Sequence, residues 1–172
     1  MGHREWSDLV LGEDDVSHAI ERTDDLRRAV TALAGQARRQ LDILTPDLEP
    51  AIYDDAEFLA ALRQLAIASP RTQLRILVGD SEQAVKRGHR LIELARRLST
   101  AIDIHCPSPA TELGTEAFLL ADDRGVMWRA NAERSQGRVC FNDPMSVRRL
   151  RSRFDDLWQE AQPDPELRRL HL

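Results

Sequence analysis

Between residues 40 and 106 the chain repeats one pattern, and that pattern restricts the fold more than any other feature. Three short apolar runs, Gln40-Leu-Asp-Ile-Leu-Thr45, Leu74 to Val78 and Ala101 to His105, end respectively at Pro46, at Gly79-Asp80-Ser81, and at Pro107 and Pro109. Each has the length and the punctuation of a strand. Between them lie two amphipathic stretches. Residues 55–69 carry Phe58, Leu59, Leu62, Leu65 and Ala66 on one helical face, and residues 88–98 carry Leu91, Leu94, Ala95 and Leu98. Strands separated by helices return across the sheet and run parallel. The expected class is therefore α/β.

The flanking segments extend the sheet. Thr23, followed by Asp24 and Asp25, reads as the N-cap of a helix over 24–39 with Leu26, Val30, Leu33 and Ala37 inward. After residue 110, Ala117 to Ala121 and Val126 to Arg129 read as two strands joined by the hairpin-type turn Asp122-Asp-Arg-Gly125. Arg138 to Phe141 reads as a further short strand. Asn142-Asp143-Pro144 opens a last helix with Val147, Leu150, Phe154, Leu157, Trp158 and Ala161 facing inward. The sum is an α/β sandwich with a mixed, partly parallel sheet flanked by helices. Residues 1–22 are expected to form an extended leader, with Trp6, Leu9, Val10 and Leu11 on the body and residues 17–21 as an edge strand. Residues 23–162 form the domain, and 163–172 form a polar tail with residual helix.

Charge narrows the function classes. The formal net charge is −5, but residues 1–25 hold eight acids against Arg4 and Arg22, so the remaining 147 residues sum to +1. A near-neutral body lacks the basic excess of a strong nucleic-acid binder. Lys86 is the only lysine among 24 basic residues, which leaves arginine to carry any anion recognition. No apolar run approaches the roughly 18 residues of a spanning helix, and MGHREWSD has no signal-peptide core. A cytoplasmic protein without a membrane association is expected. Cys106 and Cys140 lack CxxC spacing and are expected as reduced thiols. His105 and Cys106 point to opposite strand faces, so no metal site is expected, and no nucleotide fingerprint calls for a cofactor.

The order of elements resembles a single half of the phospholipase D-like superfamily, from about residue 24 to residue 161. Two stretches carry the resemblance. One is Leu41-Asp-Ile-Leu-Thr-Pro-Asp-Leu with Glu57-Phe-Leu-Ala-Ala-Leu and Leu74-Arg-Ile-Leu-Val. The other is Phe118-Leu-Leu-Ala-Asp-Asp-Arg-Gly with Asn142-Asp-Pro and Phe154-Asp-Asp-Leu-Trp158. The resemblance implies an HxKxxxxD motif in which histidine attacks a phosphodiester, lysine stabilises the phosphoryl charge and aspartate orients the imidazole. Placing the aspartate at Asp122 puts Thr115 at the histidine position and Ala117 at the lysine position; shifting to Asp123 gives Glu116 and Phe118. Neither register supplies the nucleophile or the cation, and Trp128-Arg-Ala-Asn131 stands where Gly-Ser-x-Asn usually follows.

The resemblance thus implies the fold, a homodimer that joins two motif copies, and a catalytically inactive binding or accessory module; similar domains occur beside acetyltransferases. Other readings use other residues. A diverged phosphodiesterase would draw on Glu116, Asp122 or His89. Arg129, beside Trp128, would hold an anion in the old cleft, or else lie on an exposed strand face. Arg148, Arg149, Arg151 and Arg153 would bind phosphate or nucleic acid, or else pair along the helix with Asp155, Asp156 and Glu160. His89 beside Gly88 would approach the cleft or cap a helix. The loops 45–47 and 79–81 lie where open α/β sheets take ligands.

Overall fold

The computed structural model describes residues 5–164. Eight strands form one mixed sheet: β1 (His18–Ile20), β2 (Gln40–Thr45), β3 (Gln73–Val78), β4 (Ile102–Cys106), β5 (Ala117–Ala121), β6 (Gly125–Arg129), β7 (Gly137–Cys140) and β8 (Gln162–Pro163). Their order is β1-β7-β6-β5-β2-β3-β4-β8. β2, β3 and β4 run parallel, and every other neighbouring pair is antiparallel. This is the α/β sandwich with a mixed sheet that the alternation implies.

Alternation along the strands divides the core in two. Leu41, Ile43, Leu74, Ile76, Ile102, Ile104, Leu119 and Met127 face one side. There they meet α1 (Thr23–Gln36), α3 (Ala56–Ala68) and α5 (Arg90–Arg97). Leu44, Leu77, Phe118, Leu120 and Val126 face the other side, covered by Val147, Leu150 and Phe154 of α6 (Pro144–Glu160). One long helix therefore covers the face that three share on the far side.

Several boundaries differ from the sequence expectation. α1 starts at Thr23, with Arg22 as an N-cap that makes no side-chain bond. It stops at Gln36 rather than residue 39, because the Asp122 carboxylate accepts the backbone N–H groups of Arg38, Arg39 and Gln40. Those groups then leave the helix to enter β2. Two short helices escaped the periodicity, α2 (Pro50–Tyr53) and α4 (Glu82–Lys86); each is too brief for an apolar repeat to register. α5 starts at Arg90, and His89 caps it. β8 was also unforeseen, and residue 163, expected in the polar tail, belongs to it. The expected helix in residues 165–172 lies outside the described residues.

From Glu5 onward the leader is folded against the body. Trp6, Leu9 and Leu11 pack on the core beside α1, while Val10, expected there too, stays exposed. The Gln36 amide holds this segment by donating to Leu9 O and accepting from Leu11 N. Gly125, which begins β6, lies close under the same packing: a Cβ there would be 2.6 Å from the tip of Leu11 and 2.7 Å from that of Leu33, so both side chains would have to shift. β1 closes the edge against β7. No helix among the described residues is long and apolar enough to cross a membrane.

Candidate functional site

The sheet register separates the residues that the motif alignment groups together. β5 pairs antiparallel to β2 with Leu41 opposite Ala121 and Leu44 opposite Phe118. Residues before β5 therefore lie at the carboxyl edge of β2 and β3, and residues after it lie at the amino edge. Thr115 and Glu116 are at the first edge; Asp122 is at the second.

At the carboxyl edge a cleft of about 260 Å³ opens between the loops after β2 and β3 and the segments 113–116 and 131–133. Thr45, Asp80, Thr115, Glu116, Asn131 and Glu133 supply its polar lining, and no histidine, lysine or arginine lines it among the described residues. The Thr115 hydroxyl donates to Ala130 O at 2.9 Å. Glu116 is held at both oxygens, by the Trp128 indole N–H at 2.7 Å and by Arg153 at 2.8 Å. Arg153 also donates to Leu113 O, so its charge closes the rim. Ala117, which the resemblance would place at the lysine position, is fully buried within β5.

Asp122 has a backbone role at the other edge. It adopts φ of 50°, in the left-handed region that a short polar side chain tolerates, and its carboxylate gathers the three N–H groups between α1 and β2. An imidazole at position 115 would be a full strand length away. The orienting role that the resemblance implies for this aspartate therefore has no geometry here.

His89 is 2% exposed. Its Nδ1 accepts the Leu91 N–H at 3.1 Å, so Nε2 carries the proton and donates to Leu48 O at 2.9 Å. Burial is the main reason its pKa lies below 6.5; Asp54 and the Leu48 bond oppose that shift. His89 caps α5 and ties it to the loop after β2. It does not converge with Glu116 or Asp122, so the three residues of the diverged-hydrolase reading form no common set.

Arg129 corrects an expectation. Neither on an exposed strand face nor among the residues lining the cleft, it is 1% exposed and turned to the α1 face, because neighbours on a strand point oppositely. Its guanidinium meets both oxygens of Glu49 and donates to Ala132 O and Arg134 O. Burial opposes its charge, but the Glu49 bond and nearby anions outweigh that and raise its pKa. Gly137 makes room: a Cβ there would lie 2.7 Å from Arg129 Cγ and from Trp128 O. Burial is also the main cause that pushes the Tyr53 phenol far up.

The arginines of α6 also depart from the expected pairing along the helix. Arg151 reaches Asp42 at 2.9 Å and Asp123 at 3.3 Å, Arg153 reaches Glu116, and Arg148 and Arg149 are exposed without an ion pair among the described residues. Side chains on the inner stripe of a helix packed on a sheet meet strand residues before they meet their own helix. Asp42, fully buried, is the centre of the network under α6. Arg75 grips it at 2.8 and 3.0 Å and continues to Asp155 at 2.8 Å, and Gln40 adds a 3.0 Å bond. The Arg75 guanidinium lies 4.9 Å from the Phe154 ring centre, and Trp158 stacks on His105 at 3.9 Å. This cluster had a sequence signal that went unread. Leu41-Asp-Ile-Leu and Leu74-Arg-Ile-Leu are equivalent quartets on adjacent parallel strands, and their register places Asp42 beside Arg75.

The sequence matches the model of a domain family of unknown function, DUF7931, over residues 22–170. The chain belongs to that family. No curated protein matches it. Among solved structures, this DUF7931 domain is similar to Nuc from Salmonella typhimurium, a phospholipase D family member, at 11% identity and a TM-score of 0.63 over 88% of this chain and 99% of that one. It is also similar to TrmBL2, an archaeal chromatin protein with a novel mode of DNA binding (10%, TM-score 0.62, 86% of this chain and 54% of that one). Phosphatidylserine synthase from Haemophilus influenzae is a third (14%, TM-score 0.59, 90% and 40%). The domain thus spans about half of TrmBL2 and less than half of the synthase. Its fold is phospholipase D-like.

Proposed function

We propose that the domain is a non-catalytic phospholipase D-like module that binds, and does not turn over, its ligand. The observation that carries this reading is the lining of the carboxyl-edge cleft. Attack on a phosphodiester needs a nucleophile with a base and cations for the phosphoryl oxygens. Here Thr115 spends its hydroxyl on a backbone carbonyl, Glu116 is bonded at both oxygens, and Asp80 and Glu133 add charge that repels an anion. Arg129, the nearby strand arginine, is neutralised internally by Glu49.

The same reading includes pairing with a second copy and an accessory role beside a catalytic partner such as an acetyltransferase. Light scattering of the purified protein tests the first, with a dimer mass expected. A nucleic-acid role is less favoured, since two of the four α6 arginines are occupied by carboxylates. Incubation with a chromogenic phosphodiester tests the central claim. Hydrolysis no faster than buffer is expected, for the wild type and for Glu116→Gln alike. Turnover that Glu116→Gln abolishes would replace this reading with the hydrolase one.

A further inference from the structure

The cleft does not account for a second opening, a groove of about 730 Å³ between α6 and the β5–β6 turn. We infer that this groove is a binding site for a compact oxyanion, the terminal phosphate of a small molecule, held by Arg124, Arg148 and Arg151. The inference stands apart from the reading of the cleft.

Three observations meet here. First, arginines from two elements line one groove: Arg124 from the turn, and Arg148 and Arg151 from successive turns of α6. Arg124 and Arg148 are exposed and have no ion pair among the described residues. Second, Arg151 is built into place. Its Nε is fixed on the fully buried Asp42, and its Nη2 is buried with no acceptor. A guanidinium held this way loses little freedom on binding, which favours affinity. Third, the groove already holds a carboxylate on that guanidinium. Asp123 sits 3.3 Å from Arg151 Nη1, yet its side chain is 86% exposed. Such a solvated contact contributes little. Its oxygens mark where those of an incoming anion sit, and a bound oxyanion displaces it.

The remaining charges select the ligand. Asp155 borders the groove but is paired with Arg75. Asp42, Asp123 and Asp155 offset three of the four guanidinium groups of Arg75, Arg124, Arg148 and Arg151, and Arg124 and Arg148 are the two without a carboxylate partner among the described residues. Several guanidinium groups suit a doubly charged tetrahedral oxyanion, whereas a carboxylate is satisfied by one fork. Arg149 and Arg153, neighbours in sequence, do not line the groove.

Calorimetric titration with inorganic phosphate and with phenyl phosphate tests this, alongside anisotropy of a labelled DNA duplex. Saturable binding of both phosphates is expected. Arg148→Ala should weaken it at least about tenfold, Arg149→Ala should leave it within about twofold, and Asp123→Asn should tighten it several-fold. Arg148 and Arg149 are both exposed, and unchanged circular dichroism would verify that their variants fold. Absence of phosphate binding at about 10 mM overturns the inference, as does binding indifferent to Arg148→Ala. Duplex binding that Arg148→Ala and Arg149→Ala weaken equally would also overturn it, in favour of a diffuse basic surface.

Discussion

Each face of the sheet buries an ion pair, and the two are built differently. Under α6, Asp42 takes Arg75, Arg151 and Gln40 on one carboxylate, all from regular strands or a helix. Behind the cleft, Arg129 takes Glu49 and two loop carbonyls, while its Nε and the Tyr53 hydroxyl are buried without a partner. The first site is one anion fully surrounded by donors. The second is a cation whose acceptors lie on loops. A charge enclosed by secondary structure has no route back to water when its partner is removed, whereas Glu49, 21% exposed, can rehydrate.

That contrast gives an ordering of expected effects. Asp42→Ala leaves the partly buried guanidinium groups of Arg75 and Arg151 facing each other without the carboxylate between them and should cost about 3–5 kcal/mol, read as a fall in the urea midpoint. Arg129→Met should cost less, about 1–3 kcal/mol, because the carbonyls lose donors but Glu49 returns to solvent. If Arg129→Met proved the more damaging, the loops behind the cleft would have to be the rigid part of the molecule. Asp122→Ala removes an acceptor from three N–H groups at a half-open turn, and about 1–2 kcal/mol is expected by analogy with a lost helix cap.

His89 sharpens the comparison through pH rather than through mutation alone. Its folded pKa lies below 6.5, so the unfolded chain binds the proton more readily. Stability from the neutral imidazole is complete above about pH 6.5 and is lost as pH falls from there through the folded value. A urea titration series should show this loss, and His89→Gln should flatten it; an unchanged slope would mean that another group governs acid sensitivity. At the small end, Arg149→Ala should shift stability by no more than about 0.5 kcal/mol.

Much of the fold was legible because it rests on local periodicity. β2, β3 and β5 appear as apolar runs, and Asp143-Pro144 announces α6: Asp143 accepts the Ser146 N–H, and although burial opposes it, the bonds from Ser146 and Arg138 lower its pKa. The site was less legible. Arg129 and Arg151 carry no local mark of burial, and their partners Glu49 and Asp42 are 80 and 109 residues away in sequence. α2 and α4 were missed because four or five residues do not complete an apolar repeat.

The sequence by itself determined the alternation that demands a mixed α/β sheet, the acidic leader, and the identity of Thr115 and Ala117 at the positions that the resemblance assigns to histidine and lysine. These are properties of order and identity, which need no partner to be read. Only the tertiary structure decided what each charge does. It set Asp122 at the amino edge and Thr115 at the carboxyl edge, turned Arg129 inward, and split the four arginines of α6 between a buried network, a cleft rim, an open groove and the exposed surface. Strand pairing and helix facing act across the whole chain, so the partner of a charged side chain is set by register and not by its neighbours in sequence.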